Sequence, residues 1–447
     1  MRLLPVSSAA DYAVRAETRS GDKHDISRDI PDGLRMALGG ACLLAFWNHT
    51  PLTDLSDPGH LDAWESGNTT TQVLFIGLAL AMGWALRRLG IERLRPLLAW
   101  PLIACAGWLG ATLLTSADPL LSMRRAVLLA IVAMLAAGVL VLMRSVRQFA
   151  LTMGGAALIL VGSSYLAVAL VPNLAIHNAF DLLNEPEHNG LWRGIFAHKN
   201  EAGGVMAMLV IAGLFAAGAG ERILGWTVAI GAGVFLAATM SKTSIMLLPM
   251  VLGATSLCRF VTGPLARAAI LLGPVLLLSV ATLGSAFVPA IQETVGRVLP
   301  DTSFTGRTEI WDFAADKIAE RPITGWGYGA FWRTERTMYG GAAENSWVNT
   351  ADHGHNAFLD TALVTGLPGL ALTLIAFALM PLRDLNRAAP STRIDPATML
   401  FLRLWMFGLT AASFESTLYS PNSPPWCLFI LAVFGLRLRA RHRTIAG

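Results

Sequence analysis

The chain has 447 residues, of which 54% are hydrophobic and only 14% charged, with a formal net charge of +4. Its mean hydropathy is +0.53. A soluble protein carries about 25% charged residues, so this composition excludes a large water-soluble domain and predicts an all-α polytopic membrane protein.

Residues 1–33 are polar and Arg-rich, without the early apolar run of a signal peptide, and are expected to be a cytoplasmic, mostly disordered tail. Twelve apolar segments follow, at 34–48, 72–86, 96–114, 126–143, 149–171, 201–218, 223–240, 243–258, 268–288, 357–381, 399–417 and 424–437. Read as membrane helices, they give nine spans over 34–288, a long polar segment at 289–356, three more spans over 357–437, and a cytoplasmic tail at 438–447. Cys42, Cys105, Cys258 and Cys427 lie in or beside apolar runs, so no disulfide framework is indicated.

The basic residues set the orientation. With the N-terminus inside, the inner loops collect Arg87, Arg88, Arg93, Arg95, Arg144, Arg147, Arg222, Arg259, Arg267, Arg383, Arg387 and Arg393. The outer segment 49–71 has no Lys or Arg and four acids. This is the positive-inside pattern, and it accounts for the basic balance without nucleic acid. Against that pattern, Arg124, Arg125, Arg193, Lys199, Lys242 and Arg307 fall outside, together with seven of the nine histidines. Candidate catalytic groups thus gather on one face.

The outward groups come in short motifs. Arg193, Lys199 and Asn200 stand where an outer loop enters the sixth span, and a helix N-terminus there favours phosphate; contact with lipid headgroups is the competing reading. Lys242 sits in a short outer turn and either binds the same anion or snorkels. The pair Arg124–Arg125 fits anionic lipid better than catalysis. In the long segment, 306–320 is predicted to be a helix opened by Thr305, with Arg307 at its start and Ile310, Phe313, Ala314 and Ile318 on one face. Arg307 is either a surface residue paired with Glu309 or Asp312, or a bidentate phosphate ligand beside Trp311. Gly325, Gly327 and Gly329 predict a tight, aromatic-lined turn, and Trp311, Trp326, Tyr328, Phe331, Trp332, Tyr339 and Trp347 crowd the long segment as a whole. These rings suit either a membrane interface or sugar stacking. His353 and His355, before Asn356, have three readings: general base, metal ligands with Asp352, or structural.

With these motifs in order, the chain resembles the O-antigen ligase and O-antigen polymerase superfamily. The resemblance is carried by Arg193 with Gly194–Asn200, Ser241-Lys242-Thr243, Gly306–Trp311, Glu320–Gly327, His353–Leu359 and Gly366–Gly369. It covers roughly 190–370. The His-Lys-Asn version at 198–200 is most similar to the exopolysaccharide-polymerase branch, while Lys242 departs from the arginine commoner there. The resemblance implies transfer of a glycan from undecaprenyl pyrophosphate to an acceptor hydroxyl, on the periplasmic side of a bacterial inner membrane. It implies a single inverting displacement without metal or nucleotide sugar. Arg193 and Arg307 would hold the pyrophosphate, and His355 would deprotonate or orient the hydroxyl. Lys199, Asn200, Lys242, His353, Asn356, Trp311 and Trp326 would line the substrate site. Partners would be the lipid-linked donor, a glycan or lipid A core acceptor, membrane lipids, a flippase and a chain-length regulator.

Polymerase is the leading expectation. A ligase to lipid A core and a protein O-oligosaccharyltransferase share the same donor chemistry. A secondary transporter is the rival of another class, and it would place charges near the bilayer midplane; Glu415, inside the predicted eleventh span, is the main such charge.

Overall fold

The structure, a computed structural model, describes residues 30–48, 52, 54–56, 69–179, 181, 186–297, 304, 306–332, 348 and 351–442. Most of the N-terminal tail, Thr305, Tyr339 and Trp347 lie outside the described residues. Among the described residues no strand forms; Ile176 and Trp192 make an isolated antiparallel bridge.

The main helices are α1 (Asp32–Trp47), α2 (Thr69–Leu89), α3 (Trp100–Leu114), α4 (Pro119–Leu142), α5 (Val146–Leu170), α6 (Lys199–Gly218), α7 (Arg222–Thr239), α8 (Lys242–Leu257), α9 (Pro264–Phe287), α10 (Arg307–Glu320), α11 (Ala357–Ala388), α12 (Pro396–Ala411) and α13 (Pro424–His442). Each apolar segment of the sequence falls on one of them, and α10 is the helix of the polar segment. Among the described residues, seven helices are long and apolar enough to cross a membrane, or up to eight if Ile91–Leu97 and α3, bent by 90°, form one broken span. The helices α8 and α12 are shorter. A twelve-span topology therefore requires the short helices to cross as well. The chain is a multi-pass membrane protein.

Local chemistry sets the helix starts. Asp118 and Ser145 accept from the Leu121 and Gln148 amides at the heads of α4 and α5. Pro119, Pro264 and Pro396 occupy first turns, where no amide donor is missed. The helix α6 is the most buried of the candidate spans and α9 the least. Helices α6 and α7 approach closely at Gly213 and Gly225, where a Cβ on either would lie 2.6 Å or less from the facing backbone. Small residues at such crossings let helices pack by van der Waals contact, which replaces the hydrophobic effect inside lipid.

Three spans differ from the sequence reading. The helix α4 starts at Pro119, so Arg124 and Arg125 lie within it, and Arg125 reaches the Gly329 carbonyl at 2.5 Å. Asp118 moves the start outward by supplying a cap that hydropathy does not register. The helix α12 ends at Ala411, which moves Glu415 out of the span into the following turn. The helix α11 is longer than 357–381 and broken: Gly366 has φ 71° and ψ 175°. There the Leu363 and Val364 carbonyls accept from the Trp326 and Gly327 amides, each at 3.0 Å, and the Leu367 amide donates to Pro322 at 2.8 Å. Segment 322–327 thereby satisfies backbone groups that a break in lipid would leave unpaired.

Candidate active site

The site begins at the head of α11. Asn356 is fully buried; its side-chain oxygen accepts from the Phe358 and Leu359 amides and its nitrogen donates to the Ser413 carbonyl at 3.2 Å. This cap fixes where the helix starts and joins it to the turn after α12. One residue earlier, His355 is left-handed at φ 49°, an uncommon conformation for a non-glycine residue that costs on the order of 1–3 kcal/mol. The neighbouring contacts hold it there. The Trp311 indole N–H donates to the Gly354 carbonyl at 2.8 Å, and the Gly354 amide donates to Asp360 at 3.0 Å.

The bent loop presents both imidazoles to Glu415. Nδ1 of His355 lies 3.2 Å from Oε2, and Nε2 of His353 lies 3.5 Å from the same oxygen. The two rings are 4.0 Å apart, and His353 also hydrogen-bonds Asp352. From α10, Arg307 donates to Oε1 of Glu415 at 3.2 Å and to the Phe414 carbonyl at 2.7 Å. Asp360 ties the assembly together: it accepts from Gly354, from the Trp332 indole at 2.9 Å, and from Ser416, next to Glu415.

Electrostatics differentiate these groups. Burial opposes ionisation of Glu415, but hydrogen bonds from His353 and His355 and the charge of Arg307 hold its carboxyl well below the usual range. Burial also opposes charging of His353, yet hydrogen bonds to Asp352 and Glu415 outweigh it and push the imidazole up to about 10. His355 moves the other way. Burial, with the charges of His353 and Arg307, lowers its pKa despite its bond to Glu415. At neutral pH the groups that touch Glu415 are thus two cations, Arg307 and His353, and His355, whose burial favours the neutral imidazole. His353, His355 and Glu415 offer three ligand atoms within 4.8 Å of one another, a spacing that also suits a metal ion.

A second cluster surrounds Arg193, which is 0% exposed. It lies 3.9 Å from Asp181, whose other oxygen binds His177 at 2.9 Å. The far nitrogen of His177 accepts the Lys199 amide at 3.1 Å, at the head of α6. His198 caps that helix through the Asn200 amide, and its ring lies 5.1 Å from those of both His177 and His188. Burial and the neighbouring His177, His188 and Lys199 push His198 down to about 3, while the charge of Glu415 opposes them.

The structure thus brings Arg307, His353, His355 and Asn356 together around the turn that carries Glu415, and gathers Arg193 and Lys199 in the second cluster with Asp181, His177 and His198. Trp311 is 1% exposed and supports Gly354 rather than presenting an open ring. Trp326 donates to the Lys317 carbonyl at 2.9 Å and lies under the Arg321 guanidinium at 4.2 Å. Asn200 is exposed, and Lys242 opens α8 exposed, with no ion pair among the described residues. Asp360, Asp181 and His177 escaped the sequence reading, while Glu415 stood there only as a charge inside a span and His198 only as part of a motif. The signal for Glu415 was present: it is the only acid between Asp395 and the end of the chain.

Residues 226–374 match the family described as O-antigen ligase. Over that third of the chain it is similar to the O-antigen ligase family. It is also similar to the exopolysaccharide production protein ExoQ of Rhizobium meliloti (strain 1021), 27% identical over 238 residues. That similarity covers 49% of this chain and 52% of the relative, so the match spans about half the length of each.

Proposed function

We propose that the chain is a membrane glycosyltransferase that moves a glycan from a polyprenyl pyrophosphate, undecaprenyl in bacteria, to an acceptor sugar hydroxyl on the periplasmic face. One observation carries this reading: Nδ1 of His355 faces the Glu415 carboxylate at 3.2 Å, where burial favours the neutral imidazole. Glu415 selects the tautomer protonated at Nδ1, and Nε2 is left with its lone pair. That nitrogen takes the acceptor proton as the hydroxyl oxygen attacks the anomeric carbon. The bond from that carbon to the pyrophosphate oxygen breaks, its electron pair leaves with the pyrophosphate, and the configuration inverts. Charge then grows on the leaving group. Arg307 uses two of its five N–H donors on Phe414 and Glu415 and keeps three for phosphate oxygens. Arg193 and Lys199 add positive charge from the second cluster. The leaving group is good, so positioning and charge stabilisation suffice without metal.

Polymerisation of repeat units is favoured over ligation to lipid A core or transfer to protein, because the relative is an exopolysaccharide production protein and the His-Lys-Asn motif resembles that branch. A transporter is disfavoured, since Glu415 sits in the catalytic turn and not inside a span. The test is to incubate the purified protein with lipid-linked repeat units. A polymer ladder is expected from the wild type and none from His355→Ala or Arg307→Ala at equal protein levels. Wild-type ladders from both variants would refute the assignment.

A further inference from the structure

Buried arginines on the Arg-rich face almost all have visible partners. Arg267 donates to the Val261, Ala389 and Ser391 carbonyls, at 3.0, 2.6 and 2.9 Å. Arg437 pairs with Asp384 at 2.9 Å, Arg439 with Asp395 at 2.9 Å, and Arg35 donates to the Ile30 and Leu142 carbonyls. Arg403 breaks the rule. It lies in the second turn of α12, its Nε is buried, and it makes no hydrogen bond or ion pair among the described residues. The charge acting on it is another cation, Arg259, just past the end of α8, which packs against α12.

Two like charges at the ends of packed helices repel, and a buried donor without an acceptor costs free energy. An anion relieves both. Depth identifies it. Arg403 is seven residues past Pro396, so its Cα stands roughly 10 Å along α12, and helical side chains slant back toward the N-terminus. The guanidinium therefore returns toward headgroup level on the face rich in arginine. The surroundings are amphiphilic: Leu257, Phe260 and Leu265, flanking Arg259 in the chain, are 52%, 78% and 85% exposed. We infer that Arg403 and Arg259 hold the phosphate of an anionic phospholipid, whose acyl chains lie along Leu257, Phe260 and Leu265. Arginine forks suit such phosphate oxygens.

Native mass spectrometry of the full chain in detergent tests this. Phosphatidylglycerol is titrated against phosphatidylcholine, with and without millimolar inorganic phosphate. The wild type is expected to retain phosphatidylglycerol selectively, and Arg403→Gln to lose roughly tenfold or more of that retention, with partial recovery in Arg403→Lys. Arg259 is exposed, so Arg259→Gln removes the second cation without disturbing the core and is expected to weaken retention too. Equal retention of both lipids, undiminished phosphatidylglycerol binding in Arg403→Gln and Arg259→Gln, or full displacement by inorganic phosphate would each overturn the lipid assignment.

Discussion

His355 and Glu415 lie 60 residues apart in the chain, and Nδ1 of the first stands 3.2 Å from Oε2 of the second. The carboxylate orients the imidazole, and the proposed base is the nitrogen on the other side. Glu415→Gln is therefore expected to keep substrate binding but to lower kcat by roughly 10²–10⁴-fold, the range of general-base assistance. Single-turnover assays at saturating donor separate the two quantities. An unchanged kcat would leave Glu415 with a purely structural role.

The acid limb of the rate profile should follow His355. Its pKa lies below the ordinary imidazole value of 6.5, so activity should be flat at pH 7 and fall only under that value. His353 helps to depress it, so His353→Gln should move the limb upward. A limb displaced downward, or absent, would contradict this coupling.

His353 carries an opposite signature in stability. Its folded pKa is raised to about 10 from 6.5, so its contribution is complete below pH 6.5 and is lost as pH rises toward 10. Thermal unfolding of the wild type should weaken across that window, and the slope should be reduced in His353→Gln.

Asp360 binds Gly354, Trp332 and Ser416 at once. In Asp360→Asn, a carboxylate acceptor is replaced by an amide that donates from one side. The variant should assemble in the membrane and lose about tenfold or more in kcat, because a donor–acceptor mismatch of 1–2 kcal/mol falls on the catalytic loop. Fully retained kcat would show that the loop is fixed by other contacts.

Arg307 and the charged His353 already put two positive groups around Glu415. EDTA should therefore leave polymer formation unchanged, while excess zinc should inhibit by taking the spacing of His353, His355 and Glu415. Loss of activity on chelation, restored by a divalent ion, would replace the general-base reading with a metal-assisted one.

Much of this was legible in the sequence for simple reasons. Apolar runs located the helices because lipid forces backbone groups to pair internally. The motif Gly306–Trp311 marked Arg307, and His353–Asn356 marked the loop that meets Glu415, since polar groups between apolar runs stand out. Glu415 was misplaced because hydropathy does not see the turn that ends α12 at Ala411. Trp311 and Trp326 suggested sugar stacking, but composition does not say whether an indole offers its face or donates its N–H to a carbonyl. Asp181 and His177 were unreadable, because their pairing with Arg193 and Lys199 exists only once the outer loop folds over α6.

The break at Gly366 has a bearing on engineering. Its free carbonyls are capped by Trp326 and Gly327, so the long polar segment is stitched into the eleventh helix and is not a detachable cassette. Chimeras that exchange this segment between relatives to alter acceptor preference would have to carry 322–327 and 363–367 as one unit.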